Sequence, residues 1–228
     1  MKGKQWMVLV CMVLALAACG QEAQKKVSEN PSQQSASKEQ PGVNKVRYQG
    51  NYYSVQGADG QEIIIVNKKH PLNANYAPGE DPKVQAAFKQ LVAAMQEEGF
   101  PISDHYSGYR SYENQSQLYQ NYVAQDGQAE ADRYSARPGY SEHQTGLAYD
   151  LIDTAGNLLT ETRVSQWLRE HAADYGFIVR YTEDKEEITG YTAESWHIRY
   201  IGSEAKKIAQ SGLSLEEYFE VPGGDYED

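Results

Sequence analysis

The sequence predicts an α+β fold, a single domain with a mainly antiparallel sheet and flanking helices over residues 45–228. Three observations carry this. Short runs rich in β-branched and aromatic residues alternate irregularly with amphipathic stretches, without the strand–helix rhythm of a parallel sheet. The only cysteines, Cys11 and Cys19, lie near the N-terminus, so no disulfide staples the domain. The 228 residues leave one core of ordinary size once the N-terminal segment is set aside.

The elements follow in order. Arg47 to Val55, a turn at Ala58-Asp-Gly60, and Glu62 to Val66 read as a short hairpin. A helix is predicted from Asp81, with Pro82 at its first position, where the missing N–H costs nothing; Val84, Phe88, Leu91, Val92 and Met95 recur at helical spacing and Gly99 ends it. Ile102 to Tyr109 reads as a strand delivering Arg110 at its end, and Tyr112 to Ala124 as a polar helix stopped near Asp126-Gly127. Gly146 to Ile152 reads as a strand with Asp150 near its C-terminal end. Val164, Trp167, Leu168, His171 and Tyr175 mark a helix ended by Gly176, with His171 on the inner stripe. Phe177 to Tyr181 and Trp196 to Ile201 are the next strands, and two short helices near 203–210 and 214–219 close the domain.

Residues 1–18 begin with Lys2 and Lys4, carry an apolar run from Trp6 to Ala18 that is short for a membrane span, and lead into Leu16-Ala-Ala-Cys19. This resembles a lipoprotein signal peptide, which implies cleavage before Cys19 and lipidation of its thiol. The expected location is then the extracellular face of the cytoplasmic membrane, lipid-anchored and facing the cell wall. Residues 19–44 are Gln, Ser, Lys and Glu with little that is apolar, and read as a flexible tether. Removing residues 1–18 deletes two lysines and no acid, so 21 basic residues become 19 against 32 acidic ones, a net charge of −13. Such a surface argues against nucleic acid as a partner. A monomer is expected.

The segment Ser141-Glu-His143-Gln-Thr-Gly146-Leu-Ala148-Tyr-Asp150 is answered 44 residues later by Glu194-Ser-Trp196-His197. His143, Asp150 and His197 supply two imidazoles and one carboxylate, the three ligands of a catalytic Zn²⁺ with a fourth position open. Glu194 is then free to act as a base, and the two halves together say metal-assisted hydrolysis. His70, His105 and His171 stand outside this pattern and read as packed, hydrogen-bonded side chains. On a strand His197 and Arg199 face one side, which brings Arg199 towards the cleft, whereas Trp196, Tyr149 and Tyr200 read as packing residues. Glu194 is placed just before that strand. Arg110 suits recognition of a free carboxylate or an oxyanion, against the plain alternative of an exposed surface arginine.

The pattern SxHxxGxAxD followed by ExWH resembles the VanY-like zinc D-Ala-D-Ala carboxypeptidases, over roughly Asn67 to Phe219. The runs Ser107 to Gln115 and Ser135 to Ser141 are most similar to the streptococcal surface L,D-carboxypeptidases of that family. The resemblance implies a hedgehog/DD-peptidase-like fold, one zinc ion, and peptidoglycan stem peptides as partners. It places Arg110 in the active site, with Gln115 and Ser141 as candidate partners of the terminal D-Ala carboxylate and Arg137 as a further one. The implied reaction is removal of the terminal D-Ala from a tetrapeptide stem, at the L-Lys-D-Ala bond. Its rival is D,D cleavage of a pentapeptide stem, which uses the same zinc, base and arginine. From another class stands a zinc-stabilised lipoprotein that binds wall peptides without cutting them, in which Glu194 would serve no purpose. A solute-binding lipoprotein fits less well, because no second lobe is visible.

Overall fold

The computed structural model describes residues 45–227, which belong to one compact unit. The expected signal peptide, Cys19 and the tether lie outside the described residues. Among the described residues, no helix is long and apolar enough to cross a membrane.

The chain begins with a three-stranded antiparallel sheet, β1 (Arg47–Tyr48), β2 (Tyr53–Gln56) and β3 (Glu62–Ile65), where the sequence suggested only a hairpin. The extra pairing arises because Arg47 and Tyr48 fold back onto Ser54 and Tyr53. Helix α1 (Pro82–Glu97) starts where Asp81 accepts hydrogen bonds from the Lys83 and Val84 amides, and its buried stripe is the expected five residues.

The main sheet contains β4 (Ile102–Ser107), β5 (Ala148–Asp153), β6 (Phe177–Tyr181) and β7 (Glu194–Tyr200) in the order β4-β5-β7-β6, with every pair antiparallel. One face presents Tyr149, Leu151, Phe177 and Ile198 to α1 and to α4 (Thr162–His171), forming the larger apolar cluster. The opposite face carries Asp150, Arg180, His197 and Arg199. A second cluster joins β2, β3 and Ile178 to α6 (Ala205–Ser211) and α7 (Leu215–Phe219). Ser214 and Glu217 close a reciprocal capping box at the start of α7.

Several local expectations change. Helix α2 (Tyr112–Asp126) is followed by an unforeseen α3 (Gln128–Tyr134), because Gly127, at φ 80, turns the chain and lets a second helix start. A further short helix, α5 (Glu186–Thr189), precedes β7. Asp150 sits third in the six residues of β5 rather than near its end, and Glu194 opens β7 rather than preceding it. His171 is not on the inner stripe. It ends α4 where the chain tightens into a 3₁₀ turn, its side chain is 43% exposed, and it lies against the Trp167 ring 3.9 Å from Asp174.

Candidate metal centre and cleft

β5 and β7 are neighbours at the centre of the main sheet, and their register sets Asp150 directly opposite His197. Cross-strand partners share a face, so the two side chains converge there without any loop having to bend. His143 arrives from a 3₁₀ turn over Glu142–Thr145, capped by Ser141, whose Oγ accepts from the His143 amide. Gly146 ends that turn at φ 71, and a Cβ there would lie 2.0 Å from the Gly79 carbonyl oxygen. Only glycine serves at this position. The ligand atoms of His143, Asp150 and His197 all fall within 4.8 Å of one another.

The protons in this cluster are set by its neighbours. His143 Nδ1 donates to the Gly108 carbonyl at 2.8 Å, leaving Nε2 bare and 3.2 Å from Asp150 Oδ2. Burial lowers the His143 pKa, keeping its imidazole neutral. His197 Nε2 lies 3.1 Å from Glu142 Oε2. Burial works against ionising Glu142, but the charges of Arg180 and Arg199 overrule it and hold the carboxyl well below the usual range. Glu142 is therefore an acceptor only, Nε2 must donate, and Nδ1 of His197 is left facing Asp150 Oδ1 at 3.2 Å. Among the described residues, Asp150 Oδ1 is buried and has no hydrogen-bond partner.

Lone pairs meeting lone pairs in a buried space call for a cation. With a proton alone to fill that place, burial opposes charging His197, yet Asp150 and Glu142 outweigh it and lift the imidazole to about 10. A metal ion takes the place of that proton. Two imidazole nitrogens and one carboxylate oxygen suit Zn²⁺, with an open position towards the cleft.

That cleft has a volume of about 510 Å³ and is bordered by the triad, Glu194, Arg110, Ser107 and a wall containing Tyr122, Tyr134, Tyr181 and Tyr191. Glu194 Oε2 stands 3.5 Å from His197 Nδ1, and burial, opposed by the charge of His197, raises its carboxyl to about 7. Arg110 Nη1 donates to Gln115 Oε1 at 2.9 Å and Nη2 to Ser107 Oγ at 2.8 Å, while Nη2 stands 3.7 Å from Asp150 Oδ2. Gln115 also borders the cleft, but its amide is committed at both ends, the NH₂ donating to the Ala136 carbonyl. Ser141 borders the cleft as well.

Arg137 is not brought to the cleft lining. Its guanidinium grips Asp132 through Nε and Nη2 and lies over the Tyr226 ring, because α3 sets Asp132 five residues before it. Arg199, expected to border the cleft, is wholly buried beneath it. Its parity on β7 is as expected, but the side chain runs under the cleft to Glu142 and the Ile64 carbonyl. Trp196 packs on the larger apolar cluster and also borders the cleft. Sequence reasoning missed Glu142, Arg180 and Glu216. The signal available for Glu142 was its place between Ser141 and His143; nothing local marks the other two.

Fold and cluster together define a metal-dependent hydrolase. Residues 79–203 match the VanY family, D-alanyl-D-alanine carboxypeptidase, and the chain belongs to that family. Among solved structures, the L,D-carboxypeptidase DacB of Streptococcus pneumoniae is 63% identical with a TM-score of 0.79, covering 81% of this chain and 100% of that one. The LD-carboxypeptidase LdcB, studied for peptidoglycan recognition, is 61% identical with a TM-score of 0.79, over 81% of this chain and 99% of that one. A variant of the vancomycin-resistance D,D-pentapeptidase VanY, solved with Zn(II), is 38% identical with a TM-score of 0.60, covering 68% and 97%.

Proposed function

We propose that the chain is a zinc-dependent L,D-carboxypeptidase that removes the terminal D-Ala from peptidoglycan tetrapeptide stems. The observation that carries this is the buried His143–Asp150–His197 triad opening onto a cleft that also holds Glu194 and Arg110. Zinc, when bound, supplies Lewis acidity at the scissile carbonyl. Glu194 takes a proton from the attacking water as the new C–O bond forms, and gives it to the amine of the departing D-Ala as the C–N bond breaks. Burial raises its carboxyl in the metal-free protein, and a bound dication lowers it again, so that it is ionised to accept the first proton. Arg110, steered by Ser107 and Gln115, turns its guanidinium to the oxyanion or to the substrate carboxylate. Gln115 serves by holding Arg110, and Ser141 by capping the turn that presents His143.

The preference for L,D over D,D cleavage rests on greater likeness to DacB and LdcB than to the D,D-pentapeptidase, in both identity and share of chain. A site that only binds wall peptides would not need a carboxylate raised towards neutrality beside the triad. We also propose that Cys19 carries lipid, holding the domain outside the cytoplasmic membrane. Cys19→Ala should then leave the protein unlabelled by radioactive fatty acid, and unchanged labelling would refute the anchor. The reaction is tested by mass spectrometry of muropeptides after incubation with the protein and zinc. Tetrapeptide stems should become tripeptides while pentapeptide stems persist. Faster loss of pentapeptide would install the D,D reaction instead.

A further inference from the structure

Beneath the triad lies a layer of buried charge that the proposed chemistry does not use. Glu142 Oε2 accepts from His197 Nε2, while Oε1 accepts from Arg180 Nε and Arg199 Nη1, each at 2.9 Å. Arg180 gives its two remaining nitrogens to Glu216 on α7, and Glu216 also accepts from Asn67 Nδ2 at 3.1 Å. Arg199 Nη2 donates to the Ile64 carbonyl at 2.7 Å. Two carboxylates face two guanidiniums, all four side chains at most 2% exposed.

We propose that Glu142 is the positioning residue of the metal centre, holding His197 in the one tautomer and orientation that aims Nδ1 at the ion. This rests on the zinc reading of the triad. An imidazole has two nitrogens and can carry its proton on either, so a ligand histidine is defined only once something claims the other nitrogen. An acceptor-only carboxylate at Nε2 does this, just as the Gly108 carbonyl does at Nδ1 of His143. The division of labour within Glu142 is specific. Both arginines bond Oε1, which pins the carboxylate plane and leaves Oε2 for His197.

A buried ion set is a poor route to stability in itself, since apolar residues of like volume do as well or better. The set makes sense as a fixture for a metal ligand. It is also completed from outside the family match of residues 79–203: Ile64, Asn67 and Glu216 all come from the flanks. The small N-terminal sheet and α7 thereby become supports of the metal centre.

The test is the zinc dissociation constant of the full chain, measured by competition with a chromophoric chelator, alongside thermal melting of the metal-free protein. Glu142→Met removes the acceptor at Nε2 at similar volume but leaves two guanidiniums facing one carboxylate. The paired variant Glu142→Met/Arg199→Met restores the balance of charge and is measured beside it. Folded variants should bind zinc 10- to 100-fold more weakly, the usual effect of losing such a partner. Wild-type affinity in either folded variant would overturn the proposal. Independently of any variant, ¹⁵N spectra of the zinc-loaded wild type should show His197 protonated at Nε2; a proton on Nδ1 would overturn it equally. Failure of the wild type to bind zinc at all would instead refute the reading of the triad.

Discussion

On the cleft side of His143, Asp150 and His197 stand Glu194 and Arg110; on the buried side Arg180, Arg199 and Glu216 gather around Glu142, a residue that also borders the cleft but whose carboxylate is buried. Both layers are built from carboxylates and guanidiniums, yet they differ in access. Arg110 and Glu194 keep 22% and 14% of their side-chain surface open, whereas Glu142, Arg180 and Arg199 keep 1% or less. They differ also in saturation. Both oxygens of Glu142 are engaged by fixed donors, while Glu194 stands 3.5 Å from His197 Nδ1 and is raised to about 7 in the metal-free protein. A saturated carboxylate holds a neighbour in place, and an unsaturated one can trade a proton. Substitutions facing the cleft should therefore change rates, and substitutions beneath should change metal affinity.

The largest effect should come from the triad that both layers share. His143→Ala, Asp150→Ala or His197→Ala should abolish turnover and lower zinc content, and a chelator should do the same reversibly to the wild type. Full turnover by protein shown to be metal-free by elemental analysis would sink the account at its root. Arg110 comes next. Arg110→Ala should lower kcat/KM by about 10²–10³, the range for losing one stabiliser of developing charge. Arg110→Lys should recover little, because a single ammonium cannot reproduce the forked bonds to Gln115 and Ser107. Recovery to within twofold of wild type would mean that charge alone matters there.

The pH profile sharpens the contrast further. Glu194 must be ionised to accept a proton, burial lifts it to about 7 in the metal-free protein, and a nearby dication draws it down again. At saturating zinc, kcat/KM should therefore rise with pH along an acid limb whose apparent pKa lies below 7. A limb above 7 would show that the titrating base is another group. The smallest effect is expected at Arg137, whose grip on Asp132 lies outside both layers. Arg137→Ala should cost about 1–2 kcal/mol of stability, read as a lower Tm, with KM little changed. A large rise in KM would return Arg137 to the substrate site.

The two layers were not equally legible in the sequence. The cleft layer and triad were readable because their chemistry is local: His143 and Asp150 share one ten-residue motif, and Glu194 sits three residues from His197. Strand alternation also put Tyr149 and Arg199 on the correct faces of the sheet. Alternation carries parity but no depth, so it could not tell an arginine bordering a cleft from one buried under it. The underside was illegible for a related reason. Glu142 meets Arg180, Arg199 and Glu216 through contacts that exist only after β6, β7 and α7 have packed, and no spacing along the chain announces them. Helix α3 escaped notice because it is a single short element with one buried residue, Ala131, and almost no apolar stripe. His171 misled because the buried stripe of α4 runs through Val164, Ser165 and Leu168 on to Ala172, which leaves His171 at its flank beside Trp167.

The division between a cleft layer that reacts and a buried layer that holds is tested most directly at Glu194. Glu194→Gln preserves size and hydrogen-bonding capacity but cannot take a proton from water. Zinc content and kcat should be measured on the same preparation, with tetrapeptide stem as substrate. Zinc near one ion per chain with kcat lowered by about 10²–10⁴ is the expected result. Loss of zinc would make Glu194 part of the holding layer, and undiminished kcat with zinc retained would place the base elsewhere.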